Sequence, residues 1–184
     1  MTQTQIVQCV PNISEGRRLD VVESIIDQVR QTEGVKLLDY SSDHDHNRSV
    51  ITYVGDLASV REASFRLTKE AVRLINMEEH QGAHPRIGAV DVIPFIPIEG
   101  ITMEECVEGA NALAERINKE LSVPTYLYGE AATKVARKNL SNIRKGNYEG
   151  LKESIREEER HPDFGEPKMH ETAGATVVGA RMPW

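Results

Sequence analysis

The sequence predicts an α+β fold: a ferredoxin-like α/β sandwich, with a mixed β-sheet and helices packed mainly on one face. Three observations carry this expectation. Short apolar runs alternate with long segments of helical periodicity, and the first hundred residues read β-α-β-β-α-β. The 184 residues are long enough for a sizeable core in a single domain, residues 1–184. Hydrophobic content of 39% beside 28% charged residues is the balance of a globular chain.

Each element has a local reason. Gln5 to Val10 is short and apolar and stops at Pro11-Asn12, as a strand would. Ser14-Glu15-Gly16 opens a helix in which Leu19, Val22, Ile25, Ile26 and Val29 fall at helical spacing, and Gly34 ends it. Val35 to Tyr40 is a strand, Ser41 to Asn47 a polar loop, and Ser49 to Val54 a further strand. A long helix is expected from Leu57 to Ile75 and a strand from Asp91 to Ile98. Thr102 and Glu105 stand at capping-box spacing ahead of a helix that runs to Leu121. Pro124 to Leu127 reads as a strand and Gly129 to Ala132 as a helix start. A surface helix is expected from Tyr148 to Arg160, a loop over residues 161–174, and a last strand from Ala175 to Ala180.

Charge and composition narrow the partners. Twenty-two basic against 29 acidic residues give a formal charge of -7, which disfavours nucleic acid and anionic membranes as general partners. Aromatic residues are only 5%, too few for a base-stacking platform. Cys9 and Cys106 form no CxxC pair, and two cysteines make no disulfide scaffold in a chain this long. The first ten residues lack a basic region and a long apolar run, so no leader is read there, and no stretch approaches a membrane span. A cytoplasmic protein is expected.

The most informative segment is HQGAHPRIGAVDVIPFIP, residues 80–97. His80, His84, Arg86 and Asp91 fall within twelve residues, and Gly82, Pro85 and Gly88 interrupt any helix. A turn rich in titratable groups and anchored by a strand can hold an acid–base residue at a sheet edge. His84 precedes Pro85, which biases its backbone to extended geometry, so His84 is the candidate catalyst and His80 a support of the turn. The H-x3-H spacing also leaves a metal site open, with His44 and His46 as further ligands, although Gly82 and Pro85 argue against the helical face that such spacing needs. Arg48 and Arg86 are candidates for holding substrate carboxylates in a bidentate fork, against the ordinary alternative of salt bridges to Asp39, Asp45 or Asp91. The loop at residues 161–174 is long for a structureless connection, which favours a binding role. No phosphate-binding glycine pattern and no nucleophile elbow is present.

Taken together, CVPNISEG at 9–16, NRSVITYVG at 47–55, HPRIGAVDVIPFIP at 84–97, YLYGEAA at 126–132, IRKGNYEGL at 143–151, PDFG at 162–165 and GATVVGAR at 174–181 resemble the N-terminal subdomain of glutamate formimidoyltransferase. The resemblance covers nearly the whole chain. It implies a ferredoxin-like fold and a folate enzyme of histidine breakdown, moving a formimidoyl group between N5 of tetrahydrofolate and L-glutamate. It implies that His84, in the HPR motif, is the catalytic acid–base residue. It places the folate-contacting segment at Gly165, Glu166, Pro167, Lys168, Met169, His170, Glu171, Thr172, Ala173 and Gly174. Tetrahydrofolate enters as substrate, and no metal is expected.

Two departures from the family stand out. The family's transferase has two such subdomains with folate between them, and this chain stops at Arg181-Met182-Pro183-Trp184, where the second should begin. A second subdomain or a homo-oligomer is therefore the expected partner, through an exposed apolar face. Thr172-Ala173 also stands where the family usually carries an aromatic ring before its GATV segment. The alternative readings are a non-catalytic folate-binding or partner subunit, and a metal-dependent hydrolase built on His44, His46, His80 and His84.

Overall fold

The computed structural model describes residues 4–183, so the extreme amino terminus read above as lacking a leader, and Trp184, lie outside the described residues. The fold is α+β with one mixed seven-stranded sheet, as the alternation of strands and helices predicts. The strands are β1 (Ile6–Cys9), β2 (Asn12–Ile13), β3 (Val35–Asp43), β4 (Arg48–Gly55), β5 (Val90–Glu99), β6 (Thr125–Gly129) and β7 (Thr176–Ala180). The helices are α1 (Leu19–Arg30), α2 (Leu57–Leu74), α3 (Met103–Leu121), α4 (Leu140–Ile143) and α5 (Asn147–Ser154).

β1 and β2 behave as one interrupted strand. Both pair antiparallel with β4 on one side and with β5 on the other. Pro11 has no N–H to give to the ladder, yet its carbonyl still accepts from Ile51 N at 3.1 Å, and pairing resumes at Asn12. The sequence reading ended the strand at this proline. Across the sheet the order is β3-β4-β1/β2-β5-β7-β6, with the last two strands parallel to β5. The first four positions are the ferredoxin-like βαββαβ unit; α3, β6 and β7 extend it.

The long helices form one layer. α1 contacts α2, α2 contacts α3, and all three contact strands. α1 buries Val22, Ile25, Ile26 and Val29 at helical spacing, each worth about 1.5–3 kcal/mol when fully buried. β4 alternates: Ser49, Ile51 and Tyr53 are buried, and Tyr53 Oη meets Ser64 of α2 at 2.6 Å, which sets the helix side of the sheet. Arg48, Val50, Thr52 and Val54 are half-buried and fall by alternation on the opposite, helix-free face. α3 begins with the capping box read from Thr102 and Glu105. No helix among the described residues is long and apolar enough to cross a membrane.

Several expectations shift in detail. β3 runs on to Asp43, because Ser41, Ser42 and Asp43 pair with Val50, Ser49 and Arg48 instead of looping. Residues 14–18 do not join α1. Ser14 N bonds Ala89 O at 2.8 Å, its hydroxyl bonds Gly88 O at 2.7 Å, and the Glu15 carboxylate accepts from the N–H groups of Arg17 and Arg18 ahead of the helix. The helix start at Gly129 to Ala132 is a turn, since Gly129 lies at φ +63°, where a helix cannot continue. The expected helix from Tyr148 to Arg160 stops at Ser154 and is followed by a short 3₁₀ turn, Glu158–Arg160.

Candidate active site

The turn from His80 to Ala89 lies against the start of β4 and β5 and is tied on three sides. Asn47, at φ +51°, accepts from Gly16 N at 2.9 Å and donates to Gln81 O at 3.1 Å, joining three separate segments. His80 Nε2 donates to Asn47 O at 3.1 Å, since a carbonyl can only accept, which leaves Nδ1 to accept from Arg86 Nε at 3.0 Å. His80 is thus a neutral structural link, and burial lowers its pKa. This is the supporting role read from the sequence.

The third tie is backbone on backbone. Ala89 N bonds Ala173 O at 2.9 Å, Ala175 N bonds Ile87 O at 3.0 Å, and Gly88 and Gly174 form an isolated bridge. A Cβ on Gly88 would overlap the Ala175 carbonyl, and one on Gly174, at φ +69°, would overlap that of Ile87. Two glycines therefore let the HPRIG turn and the end of the 165–174 segment touch directly.

His84 stands in a narrow cleft with Arg48, His46, Asn12 and Asp91. Arg48 Nη1 lies 2.5 Å from His84 Nε2. A guanidinium can only donate, so Nε2 presents its lone pair. His84 is neutral in this arrangement. Burial, then the positive charges of Arg48 and Arg144, push its pKa down to about 4.

The three arginines near this turn differ. Arg86, 8% exposed in its side chain, forks onto Glu149 of α5 at 2.7 and 2.9 Å. It would hold a substrate carboxylate only by exchanging Glu149 for it. Arg144, just after α4, pairs with the buried Asp91, which also accepts from Ile87 N at 2.7 Å. Burial pushes the Asp91 carboxyl up and Arg144 opposes the shift. The sequence reading assigned Arg144 no role, and its partner is 53 residues away. Arg48 makes no ion pair among the described residues, and its Nε, like that of Arg144, is buried without a hydrogen-bond partner.

The segment from Gly165 to Gly174 has two surroundings. Gly165, Glu166, Pro167, Lys168, Met169, His170 and Glu171 line a broad groove of about 990 Å³, opposite Tyr148 and Lys152 of α5 and the end of α3. Thr172, Ala173 and Gly174 lie instead against the His84 turn, with Thr172 O accepting from Met77 N at 2.7 Å. His170 Nδ1 accepts from Thr172 N and Ala173 N, so this histidine shapes the tight bend before Gly174. Tyr148, 3% exposed, presses its ring edge against Gly174. A ring thus packs beside the GATV segment although Thr172-Ala173 supply none.

His44 and His46 lie on the β3–β4 turn. His46 pairs with Asp43 at 2.9 Å, and its ring meets that of His84 edge-on at 6.1 Å between centroids. Among the described residues no three or more histidine, cysteine, aspartate or glutamate side chains are grouped as a metal would need.

The chain matches the family described as the formiminotransferase domain, N-terminal subdomain, over residues 6–181. It is 52% identical over 179 residues to the glutamate formimidoyltransferase of Streptococcus pyogenes serotype M1, covering 97% of this chain and 60% of that protein. It is 48% identical to the glutamate formimidoyltransferase of Thermoplasma acidophilum, covering 96% of this chain and 58% of that protein. It is 47% identical to the formimidoyltransferase-cyclodeaminase of Sus scrofa, covering 97% of this chain and 33% of that protein. The chain therefore spans somewhat more than half the length of the two transferases, and it belongs to the family of formiminotransferase-domain N-terminal subdomains.

Proposed function

We propose that this chain is the catalytic N-terminal half of a glutamate formimidoyltransferase, acting in the cytoplasm on folate in the breakdown of histidine. The observation that carries the reading is His84: a neutral imidazole in a cleft, with its Nε2 lone pair directed at a cation rather than at the fold. In formimidoyl transfer the glutamate amine loses a proton as its nitrogen bonds to the amidine carbon. Folate N5 gains a proton as its bond to that carbon breaks. One imidazole beside both nitrogens can take the first proton and return it to N5. No redox change occurs, so tetrahydrofolate serves as substrate, and no metal is called for.

Folate would lie along the segment from Gly165 to Gly174, whose last three residues touch the His84 turn. Arg48 would meet a carboxylate of glutamate or of the folate tail. Arg86 would do so through exchange with Glu149, and otherwise fixes the turn through His80. A second subdomain, as the family resemblance implies, or a second copy of this chain, would complete the channel over the helix-free face. The free, buried Cys9 and Cys106 accord with a reducing compartment.

The test is turnover of 5-formimidoyltetrahydrofolate with L-glutamate by the purified chain, alone and mixed with a separately produced second subdomain. Activity in either arm supports the reading. A chain that binds folate but turns nothing over in both arms is a binding subunit instead.

A further inference from the structure

Three buried or half-buried arginines surround the His84 turn, and two of them are neutralised by carboxylates of the fold. Arg48 is the exception: its guanidinium touches His84 Nε2, while its buried Nε has no partner. A cation resting on a neutral imidazole, with a donor unused, is a poor place to leave a charge in the absence of an anion. The nearby Arg144 likewise has a buried, unused Nε, although Asp91 holds one of its terminal nitrogens. The arrangement therefore offers two unused, buried guanidinium donors close to the candidate base.

The cleft is also nearly closed, at about 10 Å³, a volume that holds roughly one water molecule. No amino acid fits beside His84 while Arg48 lies on it. The guanidinium occupies the very lone pair that the reaction requires. An imidazole held down to about 4 is, moreover, a weak base at neutral pH.

We infer that Arg48 is a latch on the base, operated by the substrate's own carboxylate. The carboxylate of the incoming amino acid pairs with Arg48, with Arg144 as the second cation, and draws the guanidinium off His84 Nε2. The cleft opens and the lone pair is freed only when a carboxylate-bearing amine has arrived. The inference rests on the formimidoyltransferase reading for the identity of the amine, and it adds how the site selects a carboxylate-bearing amine over other amines. Acceptor recognition and activation of the base thereby become one event.

The titratable and charged groups around His84 are Arg48 on β4, His46 on the β3–β4 turn, His80 and Arg86 on its own turn, Asp91 on β5 and Arg144 after α4. Of these, Arg48 alone both contacts the imidazole and lacks a carboxylate.

The test is the titration of the His84 imidazole by ¹⁵N NMR, with glutarate as probe, because it carries both carboxylates of the acceptor and no amine. In the free protein His84 is expected to titrate near 4, and saturating glutarate should move it towards the ordinary 6.5. In Arg48→Met the imidazole should titrate above the parent's value, although burial and Arg144 still hold it below 6.5, and glutarate should move it far less; the KM for L-glutamate should rise ~10–100-fold with kcat changed far less. Chloride at equal ionic strength should do nothing. A wild-type His84 that glutarate leaves unmoved overturns the latch, and this arm needs no variant to fold. An R48M protein in which His84 titrates where it does in the parent overturns it as well. Glutarate-linked titration without any formimidoyl transfer would keep the latch and remove the reaction. Full transfer with an unmoved titration would do the reverse.

Discussion

Two arginine clusters show what this fold does with buried charge. At the β6 edge, Arg137 is 7% exposed in its side chain and every group around it is answered. It donates to Asp163 at 3.1 Å and to the carbonyls of Glu159 and His161, and it stacks over Tyr126 at 4.9 Å. Asp163 in turn accepts from Leu127 N at 2.8 Å and Thr133 Oγ1 at 2.6 Å. That knot pins residues 163–164 along β6 and covers a strand edge that would otherwise be open. Over β4 and β5, Arg48 touches a histidine and nothing anionic among the described residues. Satisfied charge is architecture; charge left with a donor to spare is where a ligand can act.

The largest effect that can sharpen this contrast is on the reaction. Replacing His84 by alanine should lower the rate of formimidoyl transfer by ~10²–10⁴-fold while leaving urea stability nearly unchanged, because the imidazole's main partner is a cation it does not neutralise. Asp163→Ala should do the opposite. It strands the buried Arg137 and should cost about 3–5 kcal/mol in urea unfolding, with the His84 titration untouched. If D163A unfolds at the same urea concentration as the parent, the two clusters are not different in kind.

The sequence made the local parts of this picture readable and left out the long-range ones. The capping box at Thr102 and Glu105 is a four-residue pattern, and it forms as read. The β-strands of the ferredoxin-like unit follow from apolar runs bounded by turn residues. β2 was hidden because Pro11 looks like a strand end, although the neighbours on both sides resume at Asn12. The helix expected beyond Ser154 failed because helical charge patterning on a surface does not say where a segment leaves the sheet. At the candidate site, His84 was visible because glycine and proline fix its turn locally. Its electrostatics were not, since Asp91 pairs with Arg144 53 residues on and Arg86 with Glu149 63 residues on. No spacing rule reaches that far. Asn47, which knits Gly16 and Gln81 together, was hidden for the same reason.

The next smaller effect separates the arginines themselves. Arg48→Met removes a cation that has no carboxylate to strand, so urea stability should change by no more than about 1 kcal/mol. Arg144→Met leaves Asp91 buried and unpaired, and should destabilise by about 3–5 kcal/mol. Equal losses in the two variants would place Arg48 in the architecture and cancel the comparison.

The smallest expected effect is the pH dependence of folding. His80, His84 and His170 all have pKa values lowered in the folded chain, each chiefly by burial. The unfolded chain therefore binds protons more readily than the folded one below 6.5, and the linkage sign is fixed: stability is full above that pH and falls as pH drops towards about 4, where His84 itself titrates. His84 is partly exposed, so solvent screening keeps its share of the loss modest. Thermal unfolding at a series of pH values should show Tm declining through this window in the parent, and less steeply in Arg48→Met, where the imidazole is relieved of one neighbouring cation. A Tm profile identical in the two proteins would mean that Arg48 does not act on His84 in solution, and the unanswered arginine would lose its distinction from the answered ones.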